Sequence, residues 1–295
     1  MNLDECDKIF ARVRAAASPS EVCHALEALF DWYELLNLEL VSGEVFWRAR
    51  LTGEHPWPCI EKMVYPRPEH AGLNRLNDKN APCLYAATRI ETALQEIEAN
   101  EGDFVQLVGF KVEPRAEIRV AVIGELLHIY KKGYLRLTGT DPGGSIVRLL
   151  NSKGQRRGVQ ILYIDAFLSA LLADENAKSD EYIRSRSIAS MIHRDAKTDG
   201  IMFPSVRDEL GMNLALRPAA VDSKMRAVCC IHVRITRIRA FGFIEYDVIS
   251  EAERMLADGR FSWAAPISGQ RRRYFNLTKE EYEAALHGSH DPNAF

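Results

Sequence analysis

Three residues whose side chains could do chemistry lie close together in the chain. In the stretch LNRLNDKNAPCLYAATRIETALQEIEA, Arg75 is followed ten residues later by Tyr85 and eleven residues after that by Glu96. A guanidinium binds phosphate through parallel hydrogen bonds, a tyrosine ring stacks on flat ligands, and a carboxylate stabilises a developing positive charge. The spacing alone leaves two interpretations open. The three residues form one site, or they are unrelated: Arg75 a loop charge, Tyr85 an aromatic residue of a strand and Glu96 a solvated charge on a helix.

The same stretch predicts a strand over 82–86 and a helix over 88–100. Thr88 and Glu91 have the spacing of a capping box at the start of that helix. Its apolar face is formed by Ile90, Ala93, Leu94 and Ile97. Glu96 and Glu98 flank this face on opposite sides, because residues two apart on a helix do not face each other. We therefore expect no paired-carboxylate site here, and a functional glutamate would act alone.

The composition is that of an ordinary globular protein. The 295 residues carry a formal net charge of -3, whereas dedicated nucleic-acid binders usually have a basic excess. No apolar run reaches the length of about 18 residues that a membrane helix needs, and no signal-peptide core is present. The six cysteines form no CxxC pair, and His24, His128 and His193 have no partner at metal-ligand spacing. We expect a cytoplasmic protein with reduced thiols, no metal site and no direct contact with membrane or nucleic acid.

Helices and strands are interleaved along the rest of the chain, which predicts a mixed α and β fold. Residues 1–40 predict two helices, the second of which starts with a capping box in which Ser18 precedes Pro19 and Glu21. The other predicted helices are 163–173, 180–194 and 245–258, and the other predicted strands are 45–51, 104–112, 201–204, 213–216 and an alternating stretch from 226.

Three segments, in this order, resemble the signatures of the RES-domain family. They are FWRAR, then LNRLNDKNAPCLYAATRIETALQE, then DGIMFPSVRDELGMNLAL. Known members are toxins of toxin–antitoxin pairs that break the bond between nicotinamide and ribose in NAD⁺, with phosphate or water as acceptor. The resemblance implies an α+β fold with an ADP-ribosyltransferase-like mixed-sheet core. NAD⁺ would be a substrate rather than a redox cofactor, because the chain has no GxGxxG fingerprint.

The resemblance also implies the roles of the site residues. Glu96, Arg75 and Tyr85 would be catalytic, with Glu96 stabilising positive charge on the ribose, Arg75 clamping pyrophosphate or an attacking phosphate, and Tyr85 stacking on nicotinamide or bonding ribose. Arg48 and Ser205 would bind substrate. Asn213 is left outside this predicted site. Transfer of ADP-ribose to a macromolecule, or a binding module that has lost the chemistry, are the alternatives.

The matched segments divide the chain into a catalytic core and additions. The core would be 43–217 with an insertion at 115–178, preceded by a helical extension at 1–42 and followed by a strand and helix extension at 218–295 packed on the core. The additions could gate the pocket, mediate dimerisation or replace a partner. By resemblance, the expected partners are a helix-turn-helix antitoxin of the Xre type and a second copy of the chain.

Overall fold

A computed structural model describes residues 1–137 and 144–264, together with the backbone of 271–273. Its helices are α1 Leu3–Ala15, α2 Pro19–Phe30, α3 Ile90–Glu96, α4 Glu125–Lys132, α5 Ser145–Ser152, α6 Gln155–Leu172, α7 Ile183–Ile192 and α8 Pro218–Lys224. Its strands are β1 Leu36–Leu40, β2 Phe46–Thr52, β3 Leu84–Ala87, β4 Phe104–Val112, β5 Ile118–Val122, β6 Gly200–Pro204, β7 Met212–Leu216, β8 Met225–Ile238, β9 Ile244–Met255, β10 Phe261–Trp263 and β11 Arg271–Arg273.

Within these residues the strands form one mixed sheet, which confirms the predicted α+β class. The strand order is β1-β5-β6-β7-β3-β2-β4-β8-β9-β10, with β11 paired to β9. β5 and β6 run parallel, and the long connection between them contains α4 to α7. The range expected as an insertion therefore supplies a sheet strand as well as helices.

The sheet opens between β2 and β3. β2 pairs with β4 along seven residues, and β3 pairs with β7 along four. β2 and β3, however, pair only where Trp47 meets Ala87. The Tyr85 carbonyl, which lacks a partner on β2, accepts a hydrogen bond from Arg48 Nη1 at 2.7 Å. One arginine side chain thus replaces the missing strand pairing and spans the gap.

The helical extension is part of the main core. Cys6, Ile9, Phe10 and Val13 of α1 are buried in the same cluster as residues of α2, α6 and α7. Ser18 caps α2 as predicted, accepting from the Glu21 amide at 3.3 Å, although Glu21 returns its bond to the Ala17 amide instead. α1 and α2 contribute nothing to the lining of the cleft described below.

Asp165 of α6 ties the extension to the rest of the molecule. It is fully buried and accepts hydrogen bonds from Tyr33 Oη at 2.5 Å, Gly124 N at 2.9 Å and Leu127 N at 3.0 Å. The carboxylate therefore caps the start of α4 and holds the chain beyond α2. Burial raises the pKa of Asp165, and its hydrogen bonds oppose that shift.

The helix predicted over 245–258 is wrong, because this segment is β9. Ile244, Tyr246 and Val248 alternate on the face that packs into one apolar cluster, and the strand pairs with β8 on one side and with β10 and β11 on the other. Helix-favouring residues near Glu253 are overridden by this pairing. β8 pairs with β4 from Met225 to Arg234, so the carboxyl-terminal segment continues the sheet. β11 consists of three consecutive arginines, Arg271–Arg273. Tyr274 and Phe275, which follow it, lie outside the described residues.

No helix in the described ranges combines the length and apolar character that crossing a membrane requires.

We predict that Asp165→Ala lowers the free energy of unfolding by about 3 kcal/mol, because three buried donors lose their shared acceptor. Tyr33→Phe removes only one of these bonds and should cost about 1 kcal/mol. Urea denaturation with an unchanged m-value measures both. Equal losses in the two variants would contradict the assignment of Asp165 as the common acceptor.

Candidate active site

A cleft of about 620 Å³ occupies the opening between β2 and β3. This volume is within the range of small-molecule sites, roughly 300–1,000 Å³. Its walls come from β2, β3, α3 and the loop between β2 and β3, with Phe203 of β6 and Asn213 of β7 completing one end. Arg48, Arg75, Tyr85 and Glu96 all line it. Residues far apart in the sequence are thus brought to one surface.

Glu96 lies at the last position of α3, where the helix ends in a tight turn. Ala99 N donates to Leu94 O at 3.3 Å and Glu98 N donates to Gln95 O at 3.0 Å, with Glu98 left-handed at φ 53°. This is a Schellman ending, although glycine usually takes the left-handed position. The turn carries Glu98 outward to an ion pair with Arg207, with 70% of its side chain exposed. The two glutamates do not form a pair, as the sequence predicts.

The Glu96 carboxylate is held in place by two donors. Ser205 Oγ donates to Oε1 at 2.6 Å, and Asn213 Nδ2 donates to the same oxygen at 2.7 Å. Both donors are buried. Oε2 has no hydrogen bond within the described part of the chain. One oxygen therefore fixes the orientation of the group, and the other is free to interact with a ligand.

Ser205 also organises the loop between β6 and β7. Its Oγ accepts from the amides of Arg207 and Asp208, each at 3.1 Å. Asp208 in turn accepts from the buried Thr92 hydroxyl of α3. A Cβ on Gly211 would lie 2.2 Å from Thr92 Oγ1, so only glycine allows this close approach. The loop and α3 are locked together, with Glu96 and Ser205 facing each other.

The predicted capping box at Thr88 is wrong. The helix begins after Arg89, and no side chain caps it. The Thr88 hydroxyl instead accepts from Met212 N at 3.1 Å, and Thr88 N donates to Met212 O at 2.9 Å. Thr88 thereby extends the β3–β7 pairing by one residue and sets the angle at which α3 leaves the sheet.

Asn213 is the residue that sequence reasoning left out of the site. It is 6% exposed on β7 and lies opposite Ala87 of β3 and Phe203 of β6. A signal was present, because an amide inside the apolar strand MNLAL must find a hydrogen-bond partner when buried. The partner, Glu96, is 117 residues away in sequence and could not be identified from local pattern.

Arg75 is anchored to the end of α6. Its Nη1 donates to Leu172 O at 2.6 Å, a carbonyl that the end of α6 leaves unpaired, and to Asp174 O at 3.0 Å. Its guanidinium lies 5.6 Å from the ring centroid of Tyr182, an aromatic residue at the unusual φ of 58°. Nε and Nη2 have no hydrogen-bond partner among the described residues. Part of the guanidinium is structural, and part remains available to an anion.

Tyr85 supports the turn that carries Arg75. Its hydroxyl donates to Asn77 Oδ1 at 2.9 Å and accepts from Leu76 N at 2.9 Å. Burial raises the pKa of Tyr85 well above its ordinary value, so the hydroxyl stays protonated. Its ring lines the cleft, and its hydroxyl is committed to the turn.

Arg48 places a positive charge in the opening of the sheet without a carboxylate partner in the described chain. Its Nε is buried and makes no hydrogen bond there. Burial, with Arg50 nearby, lowers the pKa of Arg48 to about 10, so the guanidinium remains charged at neutral pH. A half-buried and incompletely paired cation is costly unless an anion joins it. The cleft is therefore suited to a ligand with negative charge near Arg48.

The groups suit an anionic ligand better than a metal. Among residues 1–137 and 144–264, no cluster of histidine, cysteine and carboxylate side chains could hold a metal ion. The cleft presents arginines, aromatic rings and one oriented carboxylate. This combination can bind phosphate, pack against flat rings and stabilise a cationic centre beside Glu96.

Comparison with known proteins identifies one family. The model of the RES domain matches residues 45–237, about two thirds of the chain. No curated protein matches. A similar solved structure is the crystal structure of the M. tuberculosis MbcT–MbcA toxin–antitoxin complex, with 12% identity and a TM-score of 0.33, covering 71% of this chain and 91% of that chain. The matched range extends through β8, beyond the predicted core boundary at 217.

We predict that Ser205→Ala speeds hydrogen exchange at the amides of Arg207 and Asp208, because both lose their acceptor. Exchange measured by NMR or mass spectrometry reports this without reference to any activity. Ser187→Ala, at a buried serine of α7 that bonds within its own helix, is the matched control and should leave these amides unchanged. Unaltered exchange in Ser205→Ala would contradict the role given to its hydroxyl.

Proposed function

The chain belongs to the RES-domain family, and we propose on that premise that it cleaves the bond between nicotinamide and ribose in NAD⁺. The observation that carries the proposal is the single oriented carboxylate of Glu96, with one oxygen held by Ser205 and Asn213 and the other unbonded within the described chain. The finer assignment is an NAD⁺ glycohydrolase or phosphorylase, in which water or phosphate accepts the ADP-ribosyl group.

The chemistry requires one carboxylate rather than two. Departure of nicotinamide takes the bonding electron pair with it and leaves a cationic, oxocarbenium-like ribose, as in glycoside hydrolysis. Nicotinamide leaves as a neutral molecule, so no general acid is needed. Glu96 Oε2 would stabilise the positive charge on the ribose. Water then gives ADP-ribose and releases a proton, while phosphate gives a phosphorylated ADP-ribose.

The arginines would bind the anionic parts of the reactants. Arg48 supplies a half-buried charge with an unpaired Nε, and Arg75 has unused donors in the same cleft. Both suit the pyrophosphate of NAD⁺, and either could position phosphate as a second substrate. Because these cations are fixed by backbone contacts before ligand arrives, little reorganisation is needed on binding.

The remaining residues would act mainly by position. Ser205 and Asn213 hold Glu96, and the Tyr85 ring forms part of the wall against which nicotinamide or ribose packs. The Tyr85 hydroxyl fixes the turn that carries Arg75, which gives this tyrosine a positioning role. No cofactor is required by this scheme, since NAD⁺ is consumed.

The proposed role in the cell is that of a cytoplasmic toxin that depletes NAD⁺. The family suggests an Xre-type helix-turn-helix antitoxin and a homodimer as partners. We expect expression of the native chain to arrest growth. The Glu96→Gln variant, or co-expression of an antitoxin encoded next to the gene, should relieve the arrest. Equal growth with the native chain and with Glu96→Gln would favour a binding module without chemistry.

Transfer of ADP-ribose to a macromolecule uses the same bond cleavage and differs only in the acceptor. Incubating the protein and labelled NAD⁺ with lysate distinguishes the two. The proposal expects label in small molecules, and stable label on protein or nucleic acid would replace it with the transferase alternative.

We predict that Glu96→Gln lowers kcat for nicotinamide release by about 100-fold or more, because the neutral amide cannot balance charge on the ribose. Glu98→Gln is the matched control, two residues away and exposed, and should stay within about twofold of the native rate. Nicotinamide is quantified by chromatography after correction for folded protein. A comparable loss in both variants would argue against a specific role for Glu96.

We predict that Arg48→Met separates binding from stability. The KM for NAD⁺ should rise about tenfold, because a charge-assisted contact to pyrophosphate is lost. The free energy of unfolding should change by less than about 1 kcal/mol, because removing an incompletely paired buried charge offsets the lost bond to Tyr85. Steady-state kinetics and urea denaturation measure the two quantities. An unchanged KM would exclude Arg48 from the substrate site.

A further inference from the structure

Trp57 lines the cleft but has no role in the proposed reaction. It belongs to the loop after β2 and is half-buried. Its indole Nε1 donates to Leu51 O at 3.3 Å, which places the ring beside the far end of β2. Pro66 lines the cleft as well.

The position of Trp57 is fixed by a buried amide. Gln106 of β4 is fully buried, and its Oε1 accepts from Trp57 N at 2.6 Å while its Nε2 donates to Trp57 O at 3.4 Å. The Arg50 guanidinium lies 5.2 Å from the indole centroid. A loop aromatic held this firmly, with part of its surface on a cleft, is suited to receive a flat ring at low entropic cost.

The order of groups along the cleft has a chemical pattern. Glu96 contacts Asn213, which lies level with Ala87 and therefore with Trp47 of β2. Leu51, beside Trp57, is four residues further along β2, about 13 Å at the rise of a strand. Arg48 and Arg50 come between these two levels. Along β2 the order of levels is therefore carboxylate, cations, aromatic ring. Arg50 and Trp57 lie on the face of the sheet that carries Phe46, and α3 with Glu96 packs on the opposite face. The path from Glu96 to Trp57 therefore passes through the opening between β2 and β3.

We infer that Trp57 stacks against the adenine base of the dinucleotide and selects it over a mononucleotide. The inference rests on the proposed function for the identity of the ligand. With the reacting ribose at Glu96 and the pyrophosphate at the arginines, the second nucleoside reaches the end of the cleft where Trp57 lies. Trp57 touches no reacting atom and acts as a specificity residue.

The test compares two substrates that contain the same scissile bond. NAD⁺ carries the adenosine half, and nicotinamide mononucleotide lacks it. In Trp57→Ala, the KM for NAD⁺ should rise about tenfold, the loss expected for one base stack, with kcat unchanged. The kcat/KM for the mononucleotide should match that of the native protein. Trp57→Phe keeps a stacking ring and should restore most of the affinity for NAD⁺. Equal losses for both substrates in Trp57→Ala, or a loss confined to kcat, would overturn the inference.

Equilibrium binding separates failure of this inference from failure of the proposed reaction. Calorimetry with ADP-ribose and with ribose 5-phosphate needs no turnover. Suppose that the native protein cleaves neither substrate but binds ADP-ribose about tenfold more tightly than Trp57→Ala does. That result would refute the proposed reaction and support the contact between Trp57 and adenine. Equal affinity of the native and Trp57→Ala proteins for ADP-ribose, or no binding by either, would overturn the contact. Trp57→Phe supplies the folded comparison in case Trp57→Ala is unstable.

Discussion

The incomplete pairing of β2 with β3 is the constraint on which the rest of the structure depends. The two strands meet only at Trp47 and Ala87, and beyond that point the guanidinium of Arg48 takes the place of a backbone partner. A continuous sheet would leave no cleft. This hydrogen bond also brings a positive charge into the gap, since the Arg48 side chain that bridges the strands is a cation. The opening and the positive charge within it therefore have the same origin.

The cleft remains ordered because each wall is attached to a different part of the core. The Schellman turn at the end of α3 presents Glu96, and β7 and the loop with Ser205 hold it from the opposite side. The end of α6 fixes Arg75, and α6 is in turn packed against α1 and joined to Tyr33 through Asp165. Segments that never touch the cleft therefore determine its geometry, which explains why the helical extension belongs to the core.

Sequence patterns predicted what is local and missed what depends on distant partners. The order of Arg75, Tyr85 and Glu96 indicated that they lie on a turn, a strand and a helix, and apolar spacing identified the two helices within residues 1–40. Asn213 was missed because its partner is remote in sequence. The segment of β9 was predicted as a helix from its local residue preferences. It is a strand because pairing with β8, β10 and β11 outweighs those preferences. The Thr88 cap was misjudged for the same reason, since the Thr88 hydroxyl bonds to β7, which is remote in sequence.

The most direct measurement of the central claim is a time course of purified native protein with NAD⁺, with and without phosphate, followed by NMR. The account predicts that nicotinamide appears as NAD⁺ is lost, together with ADP-ribose or, if phosphate is the acceptor, a phosphorylated ADP-ribose. NAD⁺ that remains intact in the presence of folded protein, under both conditions, would contradict it.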